Sequence, residues 1–258
     1  MFKRTLLVLP VVALLSSTLL TGCDDSKTTA TKTVEQPTQK ILRIGTNPTF
    51  APFEFQGTNH ELVGFDLDLI HALGKQMGYK IEVSNLGFDA LIPAISSGNI
   101  DAAISGMSIT EVRKKAINFS NPYYTSGLSI LVHSDNNDIK SLKDLEGKKI
   151  AVQIGTTGAE KASTVKDATV VSFNNSNEPF MELNNKGVDA AISDHPVIAY
   201  YLVQGGSGKI VGERMNAEDY GIALKKGNDK LTKEFNDALN ALKQNGEYDK
   251  IYKKWFGS

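Results

Sequence analysis

Beyond residue 40 the chain alternates short apolar runs with segments of helical periodicity. Residues 41–46 (ILRIGT) read as a strand. In 62–78 (LVGFDLDLIHALGKQMG), Phe65, Leu69, Ala72 and Leu73 share one face at the 3.6-residue period, and Gly78 ends the helix. A strand at 80–86 follows, then a short helix at 89–98 with Pro93 early enough in it to be tolerated, then a strand at 99–105 (NIDAAIS). The second half restarts the pattern: a short helix at 142–147, strands at 149–154 and 169–174, and helices opening near Thr157 and near Glu178. A strand at 188–194 (VDAAISD) and a helix at 195–204 complete it. Segments 123–134 and 220–227 read as extended, and 231–256 as two amphipathic helices split near Asn245 and Gly246. Strands alternating with helices argue for βαβ units and a largely parallel sheet.

The word DAAIS occurs twice, at 101–105 and 189–193, each time after a helix ended by glycine. Its recurrence in one structural slot argues for two lobes of like design. The expected fold is α/β and two-lobed, with lobe one at 41–128 plus 222–258 and lobe two at 129–221. The extended segments 123–134 and 220–227 would be the crossings. In parallel α/β sheets ligands sit outside the carboxyl ends of strands. A cleft would then be lined by the loops after Thr46, Ser105, Ile154 and Ser193.

The first 22 residues have a basic start (Met1-Phe2-Lys3-Arg4) and an apolar run to Leu20, the grammar of an export signal. Leu20-Thr21-Gly22-Cys23 resembles the bacterial lipobox, which makes Cys23 a lipidation site and the mature N-terminus. Residues 24–40 (DDSKTTATKTVEQPTQK) lack aromatics and read with Cys23 as a lipidated, flexible tether. Cys23 is the only cysteine, so no internal disulfide can form. A net charge of −1 without a long basic run argues against nucleic acid. The four histidines show no metal-ligand spacing, and neither a metal nor a cofactor is expected.

The stretch 105–115 (SGMSITEVRKK) places Arg113 in the first turn of a helix, where the backbone already carries partial positive charge. A bound anion would resolve that conflict, since an arginine fork gives a carboxylate two charge-assisted bonds. Three basic residues on a solvated helix is the alternative. Gly106 permits close approach of a ligand, and Ser105, Ser108 and Thr110 are short oxygen side chains. Asp194 closes the second DAAIS strand and is either an N-cap before Pro196 or a counter-charge for an ammonium. Arg113 and Asp194 together would recognise a zwitterion. In 152–160 (VQIGTTGAE), Thr157 and Glu160 form a possible capping box, while Gln153, Thr156 and Thr157 are candidate hydrogen-bonders to a ligand. Phe50 and Phe88 lie nearest the strand ends and are candidate walls. Asp66 and Asp68 read as helix-opening residues.

The segments 45–55 (GTNPTFAPFEF), 64–73 (GFDLDLIHAL), 88–124 (from FDALIPAISSGNIDAAISGMSITEVRKK to NPYY), 142–160 (LKDLEGKKIAVQIGTTGAE), 188–197 (VDAAISDHPV) and 246–256 (GEYDKIYKKWF) resemble the polar amino-acid-binding proteins of bacterial ATP-driven importers. These are the family-three solute-binding proteins, with a type II periplasmic-binding-protein fold. The resemblance covers essentially all of 41–256. It implies a non-catalytic protein that closes over an amino acid about a hinge and offers it to a membrane permease. Arg113 would then clamp the α-carboxylate with Ser108 and the backbone at Ser105 and Gly106, and Thr157 would meet it from the second lobe. Asp194 would take the α-ammonium, and Phe50 and Phe88 would sandwich the side chain. Asn47 and Gln153 fall where the family varies with substrate; a neutral Asn47 makes glutamine the first choice over a cationic ligand. The resemblance further implies a monomer held by its lipid at the outer face of the cytoplasmic membrane, the periplasmic side in a Gram-negative cell. The rivals are an enzyme on the same scaffold, such as a periplasmic dehydratase of a small carboxylic acid, and a sensor module acting in trans.

Overall fold

The computed structural model of the chain describes residues 40–257. The expected export signal, the expected lipidation site at Cys23 and nearly all of the expected tether lie outside them. The elements run in the order β1 (Lys40–Thr46), β2 (Thr49–Phe50), β3 (Glu54–Gln56), β4 (Leu62–Val63), α1 (Phe65–Met77), β5 (Tyr79–Asn85), α2 (Phe88–Ser97) and β6 (Ala102–Ala103). Next come α3 (Glu111–Ala116), β7 (Ile117–Phe119), β8 (Tyr124–Val132), a 3₁₀ turn (Leu142–Leu145), β9 (Lys149–Gln153), α4 (Thr157–Ser163) and β10 (Thr169–Phe173). The chain finishes with α5 (Glu178–Asn184), β11 (Ala190–Asp194), α6 (His195–Val203), β12 (Lys209–Tyr220), β13 (Ala223–Lys225), α7 (Asp229–Gln244) and α8 (Glu247–Phe256).

Two five-stranded sheets carry the structure, in the orders β5-β1-β6-β13-β7 and β10-β9-β11-β8-β12. The two DAAIS strands, β6 and β11, hold the same central place, each parallel to the opening strand of its half. The sheets are mixed rather than largely parallel. β13 runs antiparallel to β6 and β7, and β8 antiparallel to β11 and β12. The reason is connectivity. The chain leaves the first sheet after β7 and returns to it through β13, and each crossing feeds a strand that pairs directly with its neighbours instead of passing through a βαβ crossover. β12 is a twelve-residue strand that the apolar pattern of 209–220 (KIVGERMNAEDY) conceals, because its residues are half-exposed and polar.

The apolar stripe of α1 is buried as its periodicity requires: Phe65, Leu69 and Leu73 are fully covered. Gly78 closes the helix in the left-handed conformation, which glycine adopts without a Cβ penalty. α7 and α8 share a core with α1 through Phe235, Leu239, Leu242 and Ile251. α2 begins at Phe88 itself, and Pro93 lies in its second turn, further in than the sequence pattern indicates. β6 is only two residues long, so most of 99–105 is irregular backbone leading into the site.

Candidate functional site

A small, narrow cavity lies where the loops after β1, β6, β9 and β11 converge. Asn47, Phe50, Phe88, Ser105, Gly106, Ser108, Arg113, Gln153, Thr156, Thr157 and Asp194 all line it, joined by Glu54. It draws on both sheets: Asn47 and Ser105 follow β1 and β6 and Arg113 sits on α3 between β6 and β7 of the first, while Gln153 and Asp194 end β9 and β11 of the second.

Arg113 occupies the third position of α3, where its N–H donates to the N-cap hydroxyl of Thr110 at 3.2 Å. The helix is only six residues long, and its basic run does not lie together on a solvated face. Lys114 and Lys115 are exposed, while Arg113 is only 6% exposed. Nη1 donates to the Ser108 carbonyl at 2.7 Å and Nη2 to the Gly155 carbonyl at 3.0 Å. The guanidinium also lies 5.4 Å from the centroid of the Phe88 ring, within cation–π range. Two of its five donors are thereby engaged, and the others are free for an anion. Burial depresses its pKa; Glu160, Glu218 and Asp194 counter that by favouring the charge.

Asp194 ends β11 and opens α6 with N-cap backbone geometry, yet its side chain caps nothing. Oδ1 instead accepts from Ser126 Oγ at 3.0 Å and from the Tyr220 hydroxyl at 2.5 Å, which leaves Oδ2 for a ligand. Burial pushes its carboxyl up to about 7 against the opposing pull of those two donors. A cation placed beside it would reverse that shift.

Asn47 and Gln153 bridge the two halves: Gln153 Nε2 donates to Asn47 Oδ1 at 2.8 Å and to the Asn174 carbonyl at 3.0 Å. Asn47 Nδ2 gives one of its two protons to the Leu86 carbonyl at 3.1 Å. Both protons of the Gln153 amide are therefore committed, and its Oε1 is the acceptor left over. Thr156, not Thr157, is the N-cap of α4, its Oγ1 accepting from Ala159 N at 3.1 Å. Thr157 is the first helical residue, so the Thr157–Glu160 capping box does not form. Its hydroxyl, like that of Ser108, turns to Glu218.

Behind the cavity wall lie two acids: Glu54, to which the sequence pattern gave no role, and Asp66, which it read only as opening a helix. Ser105 Oγ accepts from Asn47 N at 3.0 Å and donates to Glu54 Oε1 at 2.8 Å. Asp66 Oδ2 accepts from Gly106 N and from the Tyr123 hydroxyl, both at 2.8 Å. Glu54 and Asp66 are fully buried, and Glu54 Oε2 and Asp66 Oδ1 have no hydrogen-bond partner among the described residues. Burial raises both carboxyls, Glu54 well above its usual range and Asp66 to about 6. Asp66 thus does more than open α1: it holds Gly106 in its left-handed conformation (φ +52°). The available sequence signal was a carboxylate flanked on both sides by large apolar residues, in 53–55 (FEF) and 65–67 (FDL). Among the described residues no group of three or more His, Cys, Asp or Glu is placed to hold a metal.

A sequence profile described as bacterial extracellular solute-binding proteins, family 3, matches residues 42–258. The chain belongs to this family. It is 36% identical over 262 residues to the arginine-binding extracellular protein ArtP of Bacillus subtilis, covering 98% of both chains. It is 35% identical over 228 residues to a probable histidine-binding protein of Neisseria gonorrhoeae, covering 84% of this chain and 83% of that protein. Among solved structures, an ancestral arginine-binding protein bound to arginine superposes with a TM-score of 0.83 at 46% identity, covering 85% of this chain and 99% of that one. An ancestral arginine-binding protein bound to glutamine gives 0.80 at 47% identity, with the same coverage. An ancestral amino-acid-binding protein described as a precursor of cyclohexadienyl dehydratase gives 0.79 at 41% identity, covering 84% and 95%. The two-lobed α/β fold of the family is the fold of this chain.

Proposed function

We propose that the chain binds a polar L-amino acid between its two lobes, outside the cytoplasm, and delivers it to the permease of an ATP-driven importer. One observation carries this reading: Arg113, on α3 between two strands of the first sheet, and Asp194, at the end of β11 in the second, are each 6% exposed and line one small cavity with unused hydrogen-bonding capacity. A buried guanidinium with free donors and a buried carboxylate with a free oxygen suit the two charged ends of an amino acid. Ser105, Gly106, Ser108, Thr156 and Thr157 complete the polar wall, and Phe50 and Phe88 cover the apolar stem. The names of the relatives, which specify arginine and histidine, support the same substrate class.

The side chain of the ligand meets Asn47 and Gln153. The free Oε1 of Gln153 favours a side chain that ends in a hydrogen-bond donor. Glutamine is the first choice, because Asn47 brings no charge to that end. Arginine is the second, supported by relatives named for arginine and by an ancestral arginine-binding protein bound to it. Calorimetry of the full chain against the standard amino acids decides between them, with mass spectrometry of the bound fraction afterwards. Chemical conversion of the bound ligand would overturn the transport reading in favour of an enzyme on this scaffold.

The closing motion would run about the two crossings, between Phe119 and Tyr124 and between Tyr220 and Ala223. No helix of the described residues is long and apolar enough to cross a membrane. Retention at the outer face of the cytoplasmic membrane would fall to a lipid on Cys23, acting on a monomer. The variant Cys23→Ala should then leave the membrane fraction, and its continued sedimentation with membranes would refute the anchor.

A further inference from the structure

Glu218, near the end of β12, occupies a place that the zwitterion reading does not use. Its Oε2 accepts from Ser108 Oγ at 2.7 Å and from Thr157 Oγ1 at 2.7 Å. Ser108 follows β6 of the first sheet, and Thr157 opens α4 after β9 of the second. One carboxylate oxygen therefore ties the two lobes together beside the cavity that both hydroxyls line. A hydroxyl has one proton. With both protons committed to Glu218, Ser108 and Thr157 present only lone pairs to a ligand and cannot donate to its carboxylate.

We propose that Glu218 is a positioning residue for amino-acid binding: it clasps the lobes through Ser108 and Thr157 and fixes both hydroxyls as acceptors. This rests on the reading of the cavity as an amino-acid site. The carboxylate of the ligand then depends on the free donors of Arg113 and on main-chain N–H groups, and the hydroxyl oxygens serve its ammonium. The closed form is stabilised from outside the cavity, without Glu218 touching the ligand. Binding that needs the closed form gains in apparent affinity in proportion to the closed fraction.

The test compares Glu218→Gln with Glu218→Leu in the full chain. Glutamine keeps an acceptor oxygen where both hydroxyls can reach it, and leucine removes it. With L-arginine and L-glutamine as probes, Glu218→Leu should weaken the better ligand by tenfold or more, chiefly through faster release, while Glu218→Gln stays within about threefold of the parent. Wild-type affinity in Glu218→Leu, or equal losses in both variants, would overturn the proposal. Amide hydrogen exchange of the ligand-free protein gives a readout independent of the probe. Exchange in segments 106–110 and 155–160 should accelerate in Glu218→Leu and not in Glu218→Gln. If the parent binds neither probe, the amino-acid reading fails, and unchanged exchange in Glu218→Leu would separately refute the clasp.

Discussion

Arg113 donates through Nη2 to the main-chain oxygen of Gly155 at 3.0 Å, so a side chain carried beside the first sheet is fixed to a loop leaving the second. The contact fixes the guanidinium in the cavity wall while leaving donors unused. An arginine buried to 6% exposure without a side-chain carboxylate bonded to it is a costly arrangement unless an anion completes it.

Arg113→Ala should therefore weaken amino-acid binding by at least about 100-fold, since each charge-assisted bond contributes roughly 1.5–3 kcal/mol and about 1.4 kcal/mol is a factor of ten. Arg113→Lys keeps the charge but not the planar fork, and a loss of about tenfold or more is expected. Calorimetry with L-glutamine and L-arginine checks both. An unchanged affinity in Arg113→Ala would place the ligand elsewhere.

The pH dependence of binding follows from Asp194. Its carboxyl is pushed up to about 7 by burial in the ligand-free protein, and an ammonium binds the ionised form. Below pH 7 the proton must leave before the ligand enters, so affinity should fall as pH drops and level off above about 7. Binding at pH 6 should release a proton, seen as a buffer-dependent heat in calorimetry. Asp194→Asn should bind weakly at every pH, with the slope abolished.

Residues whose role follows from their own place on a strand were legible in the sequence. The repeated DAAIS word located β6 and β11, and the loops after them brought Arg113 and Asp194 to one cavity. Residues that act through the return crossing were not. Glu218 and Tyr220 sit on β12, whose alternation is blurred by half-exposure and by two register shifts against β8. Glu54 lies in a loop strand that pairs only with β2 and β4, so no periodicity announced its burial. The mixed character of the sheets was hidden for a related reason: strand direction depends on where the chain crosses, which local pattern does not encode.

The buried acids also make stability depend on pH. Burial raises Glu54, Asp66 and Asp194 in the folded state, Asp66 to about 6 and Asp194 to about 7. Between pH 4 and 7 the folded protein then holds protons that the unfolded chain releases. By linkage its stability is greatest toward the acid end of that window and declines as pH rises through it. The ligand-free protein should melt about 3 °C or more higher at pH 5.5 than at pH 7.5, at about 2–4 °C per kcal/mol for a chain of this size. Glu54→Gln, which cannot ionise, should flatten the trend. A melting temperature that rises from pH 5.5 to 7.5 would contradict it.

Gly106 joins backbone conformation to the wall of the site. Its φ of +52° is left-handed, and a Cβ there would lie 2.5 Å from Phe50 Cε1 and 2.9 Å from Cδ1. Phe50 cannot easily yield, because it is 7% exposed and packs against Phe53 at a centroid distance of 5.7 Å. Gly106→Ala therefore combines backbone strain of roughly 1–2 kcal/mol with overpacking of roughly 1–3 kcal/mol. Gly78 supplies the control, since its φ of +76° is also left-handed but nothing lies within 4 Å of the added carbon. Gly78→Ala should lose only the strain and bind the amino acid as the parent does. Gly106→Ala should lose more stability in chemical denaturation and, if the Phe50 ring covers the ligand as proposed, also bind at least about tenfold more weakly. Equal losses of stability with intact binding in both would remove Phe50 from the site.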